Sequence, residues 1–494
     1  MKILFFSYAY PNARQPGLGT FNRTMVAGLT GAHEVRVVAP VPFPDVWRER
    51  LSKLTGVSVT GAGGWKDSTY TAVPGVEASH PTFYYPPKVL RSQYGHFLDW
   101  SVGRELNRVM KQFQPDVVLS YWAHPDGDVA VRAAQRHNVP SVVMVGGSDV
   151  LLLARSGERR AAILNVLHRA DAVVTVSDHI SDTLVKDGLP RKKLHVVRRG
   201  VDPAAFSPGD RLIARRGLGL SEERTQLVAV GRLVPIKGFQ HLIASCAVLK
   251  TRGRTFDCHI LGDGPLRGPL QRQIEHLGLE DCVKLAGPQS QTRLAEWYRA
   301  ADLTVLSSLS EGVPNVLLES LACGTPFVAT SVGGVPEIAD RLYDRLVPPA
   351  SPVAMADAIE GRLSSPLEVQ QRRCFEPFDL RASARKLERV LEGALFDHAA
   401  AHHVEQVQSK SASPARAVPQ STSQPTNKFD WDWRNTPPGL NTSVSPSTAS
   451  MAISLNEPSA ELAGTTTAAF SRPSNGQFEG ELGRTGEYFT LSAK

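Results

Sequence analysis

Eleven short runs of β-branched and other apolar residues punctuate the first two thirds of this chain, and they constrain its fold more than any other feature. KILFFSY, EVRVVAP, DVVLSYW, SVVMV, AVVTVS and LHVVRRG come first; QLVAVGRL, FDCHILGDG, CVKLAG, DLTVLSS and PFVATS follow. The runs are continuous instead of alternating with polar residues, so both faces of each strand must be covered. That is the pattern of a parallel sheet enclosed by helices, and helical periodicity fills the gaps between the runs. An α/β chain of two doubly wound lobes follows, and 494 residues with 42% hydrophobic content are enough to give each lobe a core.

The segment RRGVDPAAFSPGD breaks the pattern with Gly, Pro and Asp, and a new strand begins at about Gln226. The chain therefore divides into a first lobe at 1–205, a second at 206–376, an amphipathic closing helix at 377–398 and a tail at 399–494. Ser, Thr, Pro, Ala and Gln dominate the tail. Stretches such as SASPARAVPQSTSQPTN bury too little apolar surface to offset the entropy of ordering, so the tail is expected to be disordered. Its FDWDW island is open between a docking motif and a sticky patch without function. No repeat at solenoid spacing is present.

Composition narrows the class. Five scattered cysteines (Cys246, Cys258, Cys282, Cys323, Cys374) without CxxC spacing argue for a reducing compartment, with neither a disulfide framework nor a zinc site. The start MKILFFSYAYP reads as a buried strand rather than a signal peptide, and no stretch approaches the roughly 18 apolar residues of a membrane helix. Residues 1–200 hold 25 Lys/Arg and 16 Asp/Glu, a net of +9, whereas the remainder holds 30 and 32, a net of −2. This asymmetry is open between an anionic partner for the first lobe and ordinary solvated side chains.

In an open parallel sheet ligands collect beyond the carboxyl ends of the strands, so the turns after the runs hold the candidate chemistry. QLVAV is followed by Gly231 and Arg232, with Lys237 five positions on, and FDCHI by Gly262-Asp263-Gly264-Pro265. DLTVLSS leads into SEGVPNVLLE, which places Glu311 in a loop, Pro314 at a first helical position, and Asn315 and Glu319 one turn apart on a shared helix face. The start of that helix offers the N–H groups of Asn315, Val316 and Leu317 to an anion, and Arg232 and Lys237 supply the cations a diphosphate needs. Each element alone reads as turn or solvated surface; their joint order along one lobe singles them out. In the first lobe, PGLGTF puts Gly17 and Gly19 either close to a ligand or in a plain turn, and His124 in SYWAHPDG alone reads as structural.

GRLVPIKG, LGDGP, SxxEGVPNVLLESLACGTP and GGVPE, in that order, closely resemble the donor lobe of the retaining glycosyltransferases of family 4. The likeness covers about residues 1–395 and is strongest from 228 to 340. It implies the GT-B fold, two Rossmann-like lobes facing a cleft, with a UDP- or GDP-linked sugar held by the second. On the matching positions, Arg232 and Lys237 would neutralise the donor diphosphate, and Glu319 would accept hydrogen bonds from the ribose. Glu311 would lie against the transferred sugar, and the amides of Asn315, Val316 and Leu317 would complete the phosphate cradle beside the turns at Gly231, Gly262 and Gly264. Gly17 and Gly19 resemble the family's glycine loop, His124 its sugar-contacting histidine, and Gly146-Gly147-Ser148-Asp149 its Gly-Ser-Asp turn. Such groups serve in place of a divalent ion, so neither metal nor other cofactor is expected. One departure stands out: RRGVDPAAF resembles the Asn-Gly-Val-Asp segment at the lobe junction, but Arg199 occupies the Asn position.

The resemblance thus implies a hexosyltransferase-type enzyme that retains configuration at the sugar. SYAYPNARQPGLGTF resembles the start of bacterial exopolysaccharide glycosyltransferases, which implies a glycan or lipid-linked acceptor and a cytoplasmic protein at the inner face of the membrane; a nucleic-acid partner is not expected. Residues 97–113 are open between an interfacial helix and an ordinary surface helix. Three rivals share some of these features: a nucleotide-sugar epimerase of the same architecture, a hydrolase with paired carboxylates, and a non-catalytic nucleotide-sugar-binding protein.

Overall fold

The computed structural model describes residues 1–43, 71–86, 89–153, 157–364 and 380–411. All eleven apolar runs contain strands, and these lie in two sheets whose pairings are all parallel. The first sheet runs in the order Glu77–Ser79, Glu34–Val38, Lys2–Phe6, Val117–Tyr121, Ser141–Val145, Ala172–Thr175, Leu194–Val196. The second runs Val283–Gly287, Phe256–Leu261, Thr225–Val230, Leu303–Leu306, Phe327–Thr330, Arg345–Val347. In each sheet the chain winds outward one way and then the other. The loops after the two inner neighbours therefore diverge and leave a crevice: Lys2–Phe6 beside Val117–Tyr121 in the first, Thr225–Val230 beside Leu303–Leu306 in the second.

The architecture is the GT-B arrangement of two Rossmann-like units. Burial explains the continuous runs, since every residue of Val117–Tyr121 and Ser141–Val145 is buried. One apolar cluster spans both lobes, joining Val143, Val201 and Phe206 to Val313, Leu317 and Val335. Where the sequence suggested only a break, helix Arg211–Leu218 follows the junction and packs on the second lobe, capped by Asp210, whose carboxylate accepts from the Ile213 N–H at 2.8 Å. The terminal helix, Leu380–Ser411, runs well past the 398 boundary read from sequence. Its Leu387 and Leu391 are 1% and 0% exposed among residues of the first lobe, about 2 kcal/mol of burial each, so the chain leaves the second lobe and closes on the first.

Cys246, Cys258, Cys282 and Cys323 are buried free thiols. Cys374 and the expected disordered tail with its FDWDW island lie outside the described residues. Among the described residues no helix is long and apolar enough to cross a membrane.

Candidate active site

The crevice of the second sheet gathers most of the residues singled out in sequence. Lys237 Nζ lies 2.6 Å from Glu311 Oε1, and the Ser308 hydroxyl donates to the same oxygen at 2.6 Å. The loops carrying the pair are joined by backbone: Leu309 N–H donates to the Ile236 carbonyl at 2.8 Å, and Ser307 Oγ to that of Lys237 at 3.0 Å. The two side chains keep 25% and 11% of their exposure, so the pair is part-buried, and an arriving anion that took the lysine would leave Glu311 held by the Ser308 hydroxyl.

Helix Asn315–Ala322 begins beside this pair. Pro314 is its N-cap rather than its first helical residue. The Leu317 amide donates to the Pro314 carbonyl at 3.1 Å, and the Leu317 side chain is buried in the shared core. The expected phosphate cradle of three amides therefore narrows to those of Asn315 and Val316. Asn315 and Glu319, one turn apart, do face the same cavity, a space of about 80 Å³ also lined by Phe21, Gln291 and Arg199. Glu319 accepts from the Tyr298 hydroxyl at 3.0 Å, and burial raises its pKa to about 7.

The donor-turn glycines are explained first by backbone packing. Gly262 (φ 142°) admits no Cβ because the Gly231 carbonyl oxygen occupies that place, and a Cβ on Gly264 would lie 2.6 Å from the Leu233 carbonyl oxygen. Arg232, between these turns, is half-buried, which lowers its pKa, and it interacts electrostatically with Tyr8 of the first lobe. The structure thus brings Arg232 to the boundary between the lobes.

In the first lobe the sequence candidates fare unequally. Gly19, at φ 60°, caps helix Thr20–Leu29, and a methyl there would strike the Ala9 carbonyl; Gly17 has nothing within 4 Å of a would-be Cβ. His124 is turned inward. It is 2% exposed, its Nε2 accepts from the Gly95 N–H at 3.3 Å, and burial lowers its pKa to about 4, so the ring is neutral. Its Nδ1 is buried as well.

Three features escaped the sequence reading. Asp126, two residues after His124, sits in the first sheet's crevice and accepts from the Tyr8 N–H at 3.0 Å and the Ser7 hydroxyl at 3.2 Å; burial pushes its pKa up to about 7. Glu337, from GGVPE, reaches the other lobe, where it accepts from the amides of Asp178 and His179 at 3.0 and 2.8 Å and pairs with Arg198 at 3.0 Å. Finally, Gly312 beside Glu311 packs directly on the Gly146-Gly147 backbone. A glycine doublet after one strand and a glycine after the loop glutamate were the available signal for that contact.

With this geometry in place, the class is that of a two-lobed enzyme whose Lys237–Glu311 pair and helix Asn315–Ala322 lie on the second lobe. Residues 17–205 match Glycosyltransferase Family 4 and residues 210–392 match Glycosyl transferases group 1. D-inositol 3-phosphate glycosyltransferase 2 of Catenulispora acidiphila is 35% identical over 50% of this chain and 62% of its own length, and the Mycolicibacterium vanbaalenii D-inositol 3-phosphate glycosyltransferase is 31% identical over 58% and 69%. The putative teichuronic acid biosynthesis glycosyltransferase TuaC of Bacillus subtilis is 28% identical over 73% of this chain and 88% of its own. In structure, Anabaena Alr3699/HepE in complex with UDP-glucose superposes with a TM-score of 0.61 at 18% identity, covering 80% of this chain and 100% of that one, which shows the fold. The chain belongs to glycosyltransferase family 4.

Proposed function

We propose that the chain transfers a sugar from a UDP- or GDP-linked donor to a hydroxyl of a glycan or lipid-linked acceptor, with retention of configuration and without a divalent metal. The observation that carries this reading is the Lys237–Glu311 pair on the loops after two neighbouring strands of the second sheet, followed by a helix whose Asn315 and Glu319 line a cavity shared with first-lobe residues. Departure of the nucleoside diphosphate leaves positive charge on the sugar and negative charge on the leaving group. Lys237, Arg232 and the amides of Asn315 and Val316 answer the second, supplying charge that a metal would otherwise bring. Glu311, released from Lys237 as the lysine turns to the diphosphate, answers the first. Glu319 holds the ribose hydroxyls. The acceptor hydroxyl attacks the anomeric carbon on the face from which the diphosphate leaves, and a diphosphate oxygen takes its proton. Closure of the lobes excludes water.

The acceptor carries negative charge in this reading, as the net +9 over residues 1–200 favours. Two relatives, by their names, act on an inositol phosphate and in teichuronic acid biosynthesis, which agrees with an anionic acceptor in a cell-surface glycan. The protein would then work in the cytoplasm, peripheral to the inner face of the membrane.

Purified protein incubated with a panel of UDP-, GDP- and ADP-sugars, with EDTA present, should release one nucleoside diphosphate, and a membrane extract should accelerate the release. Conversion of donor alone to an isomer would establish an epimerase instead, and no binding or cleavage of any donor would overturn the proposal.

A further inference from the structure

Arg199, the departure from the family pattern, joins three parts of the cleft. Its guanidinium lies 4.4 Å from the ring centre of Phe21, on helix Thr20–Leu29, and 5.5 Å from that of Tyr121, at the end of a central strand of the first sheet. Nη2 donates to the Tyr121 hydroxyl at 2.6 Å and Nη1 donates to Oδ1 of Asn315 at 3.1 Å. Tyr121 is itself 4% exposed, so this anchor belongs to the packed body of the first lobe. A planar guanidinium seated on two rings cannot turn freely, and each of its N–H groups leaves in a fixed direction.

Arginine only donates, so Asn315 must present its carbonyl oxygen to Arg199, and its Nδ2H₂ is left as a donor. Asn315 is also the first residue of the helix whose opening amides face the proposed diphosphate. An amide turned the other way would set its oxygen among these donors and repel an anion. We propose that Arg199 is a positioning residue for the donor: from the lobe junction it fixes the side-chain amide of Asn315, so that Nδ2 and the N–H groups of Asn315 and Val316 present donors together to the diphosphate. Arg199 acts through Asn315 and does not touch the donor. The inference rests on the nucleotide-sugar reading of the cleft.

The test compares UDP and GDP, by calorimetry, with uridine and guanosine, by saturation-transfer NMR. Arg199→Met and Asn315→Ala should each weaken the nucleoside diphosphate about tenfold, the size of one hydrogen bond to a charged group, and leave the nucleoside unaffected. The double variant should be no weaker than either single one, because both remove the same positioned donor. Should Arg199→Met fail to fold, Tyr121→Phe removes only the hydroxyl that anchors Nη2, and a loss confined to the diphosphate is again expected. Multiplied losses in the double variant, or equal losses for diphosphate and nucleoside, would overturn the assignment. A wild-type chain that bound neither diphosphate would overturn the nucleotide-sugar reading itself.

Discussion

Replacing Gly312 by alanine tests how closely the two lobes must meet. A methyl at this position points at the first lobe: it would lie about 1 Å inside the 3.4 Å at which ordinary van der Waals contact with the Gly146 carbonyl oxygen begins, and 3.2 Å from Gly147 Cα. The loop cannot retreat to make room. Behind it the Gly312 carbonyl accepts from the Gly334 N–H at 2.7 Å, and the Glu311 carbonyl lies where a Cβ on Gly333 would be. Either the lobes part or Glu311 moves, by about 1 Å. A misplacement of about 1 Å at a reacting centre costs about 10²-fold in rate, or about 2.7 kcal/mol of transition-state stabilisation. Initial rates of nucleoside diphosphate release in the presence of acceptor extract, measured beside calorimetric affinity for the nucleoside diphosphate, separate the two effects. The rate should fall about 100-fold while affinity changes less than about threefold, since the proposed diphosphate-binding groups lie in the second lobe. A wild-type rate in Gly312→Ala would refute the argument that this contact sets the cleft.

Asp126 gives a pH signature. Its folded pKa of about 7 lies above the unfolded value of 3.8, so its contribution to stability is full below pH 4 and is lost as pH rises through 7, a span on the order of 4 kcal/mol. Asp126→Asn cannot ionise and keeps an acceptor for Tyr8, so between pH 5 and 8 it should gain on the wild type in denaturant midpoint; parallel pH profiles would contradict this. Gly19→Ala, at positive φ and against the Ala9 carbonyl, should cost at least about 2 kcal/mol, whereas Gly17→Ala should stay within about 0.5 kcal/mol, both read from urea unfolding. Glu337→Ala removes the carboxylate that caps helix Asp178–Lys186 from across the cleft and should cost about 1–2 kcal/mol in the same assay; no loss would mean that solvent caps that helix as well.

The strands were legible because a strand buried on both faces leaves a continuous apolar run, as SVVMV does. Glu77–Ser79 and Arg345–Val347 are edge strands of three residues, too short and too little buried to leave a pattern. Helix Leu380–Ser411 outran its expected end because AAAHHVEQVQ is rich in Ala, Glu and Gln, good helix formers, after its apolar stripe has faded. At the site, Lys237, Glu311, Asn315 and Glu319 were legible because each follows a strand in the same lobe. The contacts of Arg199 with Asn315 and of Glu337 with Asp178 join residues more than a hundred positions apart, and no local spacing reports them. The contact of His124 with Gly95, on a helix 29 positions earlier, is likewise one that its place after a strand does not report.

The most direct measurement is nucleoside diphosphate release, with the preferred donor and acceptor extract, by the wild-type chain and by Lys237→Ala and Glu311→Gln variants shown to be folded by circular dichroism. If the charge of Lys237 stabilises the leaving diphosphate and that of Glu311 the sugar, each variant should fall to about 1% of the wild-type rate or below. Release at the wild-type rate by either folded variant would contradict the account of the site.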